Sequence, residues 1–136
     1  MLASFDTHIF WEVLRSGPYW RGALLAIGLT CASLGAACLI AFPLALGRAS
    51  RLRGVRVLVF LYSWFFRATP TLLLLLIVWD VLPQLWPVFA GSWFTSFLAA
   101  FIALSLNEAA YMAEIIRAGL LSVDPGQELA DRKSVV

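Results

Sequence analysis

Two groups of polar residues interrupt otherwise apolar stretches of this 136-residue chain. Arg67, Thr69 and Pro70 form one group, and Asn107 with Glu108 forms the other. Proline opens the hydrogen-bond ladder of a helix, and such irregular polar points often line a pathway through a membrane. A charge inside a membrane needs a partner, and Glu108 is a candidate partner for Arg67. The pattern predicts the lining or gate of a substrate pathway; the alternatives are an arginine that reaches the interface, or a purely structural pair.

Enzymatic chemistry has little support in the residue types. His8 is the single histidine, so no histidine cluster points to a metal site or a catalytic triad. The chain also lacks a glycine-rich phosphate loop and a convincing nucleophile–base pair. Glu114 and Arg117 are spaced i, i+3 and are predicted to pair at a helix end. We therefore expect no catalytic residue, no metal and no cofactor in this chain.

Composition identifies the environment of these residues. Hydrophobic residues make up 62% of the chain and charged residues 13%, against roughly 25% charged in a soluble domain. Too little polar surface is present to cover a soluble fold, whereas lipid can solvate an apolar exterior. The net charge of +2 gives no reason to expect a nucleic acid partner. The predicted fold class is an all-α, polytopic membrane helix bundle.

Three segments are long and apolar enough to be membrane spans. They cover residues 23–47, 55–79 and 92–117. In the first span, small residues fall on one face and predict close helix packing there: Gly28, Ala32, Gly35 and Ala36. Residues 1–19 predict a separate amphipathic segment on the outer surface.

Arginines set the predicted orientation. Arg48, Arg51, Arg53 and Arg56 crowd the connection between the first two spans, whereas residues 80–91 contain no lysine or arginine. Positive residues favour the cytoplasmic side. The first connection is therefore predicted to be cytoplasmic, and the N-terminus and the second connection to be outside.

Two longer motifs carry a family resemblance. Residues 66–72 read FRATPTL and residues 82–84 read LPQ. Residues 105–123 read SLNEAAYMAEIIRAGLLSV and residues 125–127 read PGQ. In order and spacing these resemble the FRGTPLL…GLPQ and LSLNxAAYxAEIxRGxxxSVxxGQ signatures of permease subunits of polar amino-acid ABC importers.

The resemblance implies a MetI-like permease architecture with five core spans, of which three are present, in the bacterial cytoplasmic (inner) membrane. It implies a second permease subunit, identical or different, an extracellular or periplasmic solute-binding protein, and cytoplasmic ATPase subunits that bind ATP. Arg67 and Glu108 would then bind the carboxylate and the ammonium of a polar amino acid. The outer loop on the binding-protein side would include Asp80, Leu82, Pro83 and Gln84. The ATPase coupling loop would begin with Gly126, Gln127, Glu128, Leu129 and Ala130.

The chain departs from the family pattern in places. Ala68 replaces the usual glycine, and Leu129 stands where the coupling motif has glutamate. The pattern covers residues 20–130 and stops after Ala130. Residues 131–136 read DRKSVV, and one set of codons that would encode them, GAT CGG AAG AGC GTC GTG, matches the start of a common sequencing adapter. We expect a truncated permease with a non-native tail; the alternative is a small three-span membrane scaffold or regulatory subunit.

Overall fold

The computed structural model describes residues 7–122, and all regular secondary structure in this range is helical. The six α-helices are α1 (Thr7–Leu14), α2 (Gly17–Arg48), α3 (Arg53–Ala68), α4 (Thr71–Leu76), α5 (Leu82–Leu85) and α6 (Ser96–Leu121). A π-helical turn, Ile77–Val81, joins α4 to α5, and a 3-10 turn, Pro87–Ala90, follows α5. The predicted all-α class is confirmed.

Helices α2 and α6 are each long and apolar enough to cross a membrane. Helix α2 begins at Gly17, well before the predicted residue 23, because proline is tolerated in the first helical turn and Pro18 lies there. Helix α6 begins at Ser96 rather than residue 92. Its first turn is capped by Thr95, whose Oγ1 accepts a hydrogen bond from the backbone N–H of Leu98 at 3.3 Å.

The predicted second span is not one straight helix. The helical segment Thr71–Leu85 is bent by 104° relative to helix α3. The break falls at Thr69 and Pro70, where the backbone is extended (ψ 128° and 135°) because proline cannot continue the ladder and disfavours helical geometry in the preceding residue. The bent pair counts as a third span only if both parts belong to one crossing.

The core is a seam of small side chains between α2 and α6, the two helices that pack most extensively. Four residues of α2 at i, i+4 spacing are buried: Ser33, Ala37, Ala41 and Ala45. On α6 the buried alanines are Ala99, Ala103, Ala109, Ala110 and Ala113. Small side chains let two backbones approach closely, so the seam contains hardly any large residue.

The face of α2 predicted from sequence to pack is not the buried one. Gly28, Ala32 and Gly35 are exposed, and Ala36 is half-buried. A Cβ atom added at Gly28 or Gly35 would meet nothing within 4 Å. Helix α2 is rich in small residues on more than one face, and the position of α6 decides which of them is covered.

Candidate functional site

Asn107 connects α6 to the helix that follows the break. Its side chain is only 2% exposed, and its Nδ2 donates a hydrogen bond to Oγ1 of Thr71 at 3.2 Å. Thr71 is the first residue of α4, directly after Pro70. The Oδ1 atom of Asn107 is buried and has no hydrogen-bond partner within residues 7–122. The structure thus brings the two predicted polar groups together, through Asn107 and a threonine that the sequence analysis did not select.

At the break itself, Thr69 makes its hydrogen bonds within α3. Its Oγ1 donates to the carbonyl oxygen of Phe65 at 2.8 Å, and its backbone N–H donates to the same carbonyl at 3.1 Å. After the proline, the backbone N–H of Leu74 donates to the carbonyl of Pro70 at 3.1 Å. The end of α3 and the start of α4 therefore have local hydrogen bonds on both sides of the bend.

Arg67 lies at the end of α3 and points across to α6. Its guanidinium carbon is 5.5 Å from the centroid of the Tyr111 ring, within the range of a cation–π contact. Both residues line an open groove of about 320 Å³ among α2, α3 and α6. The other lining residues are Arg48, Phe60, Ser63, Trp64, Ala68 and Glu114.

Glu108 does not face Arg67. It lines a different groove with Thr30, Ser33 and Leu104, on the side of α6 that meets α2. Successive residues of an α-helix are rotated by about 100° about its axis. Asn107, Tyr111 and Glu114 therefore lie on one face of α6, and Glu108 lies off that face. Among the residues that the structure describes, Arg67 and Glu108 form no ion pair, so the structure does not bring these two candidate partners together.

The predicted pairing of Glu114 with Arg117 is present. Arg117 donates from Nε and Nη2 to Oε1 of Glu114, with the Nε distance at 3.1 Å. The two side chains are about 28% and 33% exposed. This i, i+3 pair neutralises the one carboxylate that lines the Arg67 groove.

Tyr62 fixes α3 against α6. Its hydroxyl donates to the carbonyl oxygen of Leu106 at 2.7 Å, one residue before Asn107. The ring of Tyr62 also contacts Phe66, with centroids 4.6 Å apart. Sequence analysis missed Tyr62, Thr71 and Tyr111. The i, i+4 spacing of Asn107 and Tyr111 is a signal that could have identified the latter.

The predicted outer loop is partly helical. Asp80 lies in the π-helical turn, and Leu82, Pro83 and Gln84 form α5. The Nε2 of Gln84 donates to the backbone carbonyl of Asp80 at 2.9 Å. Asp80 and Pro83 line a groove with five aromatic or small neighbours: Trp79, Phe89, Ala90, Gly91 and Phe94.

The predicted coupling loop, Gly126 to Ala130, and the predicted tail, residues 131–136, lie outside the described residues. Within residues 7–122, no group of three or more histidine, cysteine, aspartate or glutamate side chains could hold a metal ion.

Comparisons with known proteins agree with one another. Residues 23–132 match the family described as binding-protein-dependent transport system inner membrane component. The octopine transport system permease protein OccM of Rhizobium radiobacter is 36% identical over 90% of this chain and 51% of its own length. The arginine transport system permease protein ArtQ of Bacillus subtilis (strain 168) is 38% identical over 81% of this chain and 48% of its own length.

A solved structure gives the same result for the fold. A crystal structure of an amino acid ABC transporter with histidines superposes with a TM-score of 0.70 at 34% identity. The match covers 81% of this chain and 49% of that one. The chain thus spans about half the length of the relatives it matches.

Proposed function

Because this chain belongs to the family of binding-protein-dependent transport system inner membrane components, we propose that it forms part of the pathway of a polar amino acid in an ATP-driven importer. Family membership makes it a multi-pass inner membrane protein and a transport component rather than a catalytic enzyme. The observation that carries the proposal is the match over residues 23–132, shared with permeases named for amino acids or their derivatives.

We assign the pathway to the region around the break in the second span. Thr69 and Pro70 supply the irregular backbone, and Asn107 offers a buried carbonyl oxygen without a partner in the described chain. Arg67 offers the N–H groups of a guanidinium to a substrate carboxylate. Glu108 offers a carboxylate on the neighbouring face of α6, where an ammonium group can pair with it.

The partners follow from the same proposal. A second permease subunit, identical or different, completes the pathway, and an extracellular or periplasmic solute-binding protein delivers the amino acid. The outer segment from Asp80 to Gln84 faces that protein, and the N-terminus lies on the same side. Cytoplasmic ATPase subunits bind ATP and contact the chain at Gly126 to Ala130; no cofactor belongs to the chain itself.

The test is transport by the permease that contains this chain. It is reconstituted in vesicles with its ATPase and binding protein, and uptake of radiolabelled arginine, glutamine and cystine is measured with and without ATP. We expect ATP-dependent uptake of at least one amino acid. An assembled complex that takes up none of them contradicts the proposal and favours a scaffold or regulatory subunit.

Arg67→Ala separates the pathway role from a structural one. We expect this change to lower uptake about ten-fold or more, the size expected for losing a charged hydrogen bond, while the amount of assembled complex falls much less. Arg51→Ala is the matched control, because Arg51 is exposed and lines none of the three grooves described above. Equal losses of uptake and assembly in Arg67→Ala contradict the pathway role.

A further inference from the structure

The groove beside Arg67 contains a second arginine, Arg48, in addition to the guanidinium assigned to the substrate carboxylate. Arg48, at the end of α2, and Arg67, at the end of α3, both line it. The carboxylate present, Glu114, is already hydrogen-bonded to Arg117. Arg117 compensates the charge of Glu114, so the two arginines of the described lining leave the groove with a surplus of two positive charges.

Aromatic rings support the two arginines that line the groove. The guanidinium carbon of Arg48 is 5.0 Å from the centroid of the Phe60 ring, and that of Arg67 is 5.5 Å from the centroid of the Tyr111 ring. Within residues 7–122 neither side chain forms an ion pair or a side-chain hydrogen bond. A ring contact covers one face of a guanidinium and leaves its N–H edge to bind an anion.

The rim of the groove is apolar and exposed. Trp64 is 62% exposed and Phe60 is 49% exposed, on the same helix as Arg67. The groove also adjoins the basic connection that contains Arg51 and Arg53, which the charge pattern assigns to the cytoplasmic side. Basic pockets between membrane helices on that side suit anionic headgroups, and aromatic residues suit the boundary between headgroups and acyl chains.

We propose that Arg48 and Arg67 bind the phosphate of an anionic phospholipid, whose acyl chains lie along Phe60 and Trp64. The groove, about 320 Å³ in volume, is open rather than enclosed, so a lipid can enter it from the membrane. The lipid site shares Arg67 with the proposed substrate pathway, whereas Arg48 belongs to the lipid site alone, and lipid occupancy can be measured without any transport assay.

The test uses native mass spectrometry of the purified permease that contains this chain, with phosphatidylglycerol and phosphatidylcholine added in equal amounts. We expect the protein to retain phosphatidylglycerol in preference to phosphatidylcholine. Arg48→Gln should weaken retention about ten-fold, the size of one lost charge-assisted hydrogen bond. Arg51→Gln removes the same charge three positions away and should change retention less than about two-fold.

Three results would overturn the proposal. One is retention of phosphatidylglycerol that Arg48→Gln leaves unchanged, and another is equal retention of the two lipids. The third is displacement of the lipid by inorganic phosphate alone, which would identify a general phosphate site. If Arg48→Gln does not yield folded protein by size-exclusion chromatography, Arg67→Gln tests the second guanidinium with the same readout.

Discussion

The hydrogen bond from Asn107 to Thr71 can be removed with almost no change in shape. Thr71→Val replaces the hydroxyl with a methyl group and leaves Nδ2 of Asn107 without its acceptor, 3.2 Å away in the native chain. Asn107 is 2% exposed, and its Oδ1 already has no partner in the described chain. The change therefore leaves both polar ends of the Asn107 side chain without a partner in the described chain, whichever way the amide is rotated.

The magnitude follows from that burial. An unsatisfied buried polar group costs about 1–3 kcal/mol, whereas hydrogen bonds between membrane helices average about 0.6 kcal/mol with a maximum near 1.7. Because Asn107 is left unpaired rather than exposed to water, we expect a loss of about 1–2 kcal/mol. That corresponds to roughly a 5- to 30-fold change in the folding equilibrium.

The assay is unfolding of the purified protein in mixed micelles by increasing sodium dodecyl sulfate, followed by far-ultraviolet circular dichroism. Thr30→Val is the matched control, because the Thr30 hydroxyl donates only to the Ala26 carbonyl of its own helix at 2.8 Å. We expect the control to change stability by less than about 0.5 kcal/mol. In an Asn107→Leu background, Thr71→Val should likewise cost less than about 0.5 kcal/mol, because no buried amide remains. The pairing would be refuted if Thr71→Val were as stable as the control. It would also be refuted if the losses of stability caused by Thr71→Val and Asn107→Leu added up in the double variant.

Two further changes test the packing and the bend. Ala41 is fully buried in the seam between α2 and α6, so Ala41→Leu should destabilise by about 1–3 kcal/mol through overpacking; exposed Ala32→Leu is its control, and equal unfolding midpoints for the two contradict the seam. Pro70→Ala restores a backbone N–H and should let α3 continue towards α4, lengthening the distance between spin labels at Leu58 and Leu76, measured by double electron–electron resonance. An unchanged distance contradicts the role of Pro70 in the 104° bend.

Local signals in the sequence predicted most of the helices and the site of the break. Long, mainly apolar runs account for α2 and α6, because only a helix satisfies backbone groups in lipid. Pro70 accounts for the end of α3, because proline and the residue before it leave helical geometry. The size of the bend could not be predicted in this way. It depends on where α6 lies, and no single segment of the sequence encodes that position.

The assignment of Glu108 shows the corresponding limit at the site. Asn107 and Glu108 are neighbours in sequence, so both looked equally able to face Arg67. Because successive residues of an α-helix are rotated by about 100° about its axis, the two side chains lie in different surroundings. Asn107 donates a hydrogen bond to Thr71, whereas Glu108 lines a groove with Thr30 and Ser33. A single-sequence pattern gives the spacing along a helix but not its rotation about the axis.

The alanine seam constrains how this chain can move. Alanine has no side-chain torsion to change, so Ala37, Ala41 and Ala45 on α2 and their counterparts on α6 have no alternative rotamers through which the interface could adjust. Two helices in such contact behave as one rigid unit. Any rearrangement of the described helices must then be absorbed elsewhere, and the extended residues Thr69 and Pro70, which interrupt the helical hydrogen bonds between α3 and α4, are a place where the backbone can change direction.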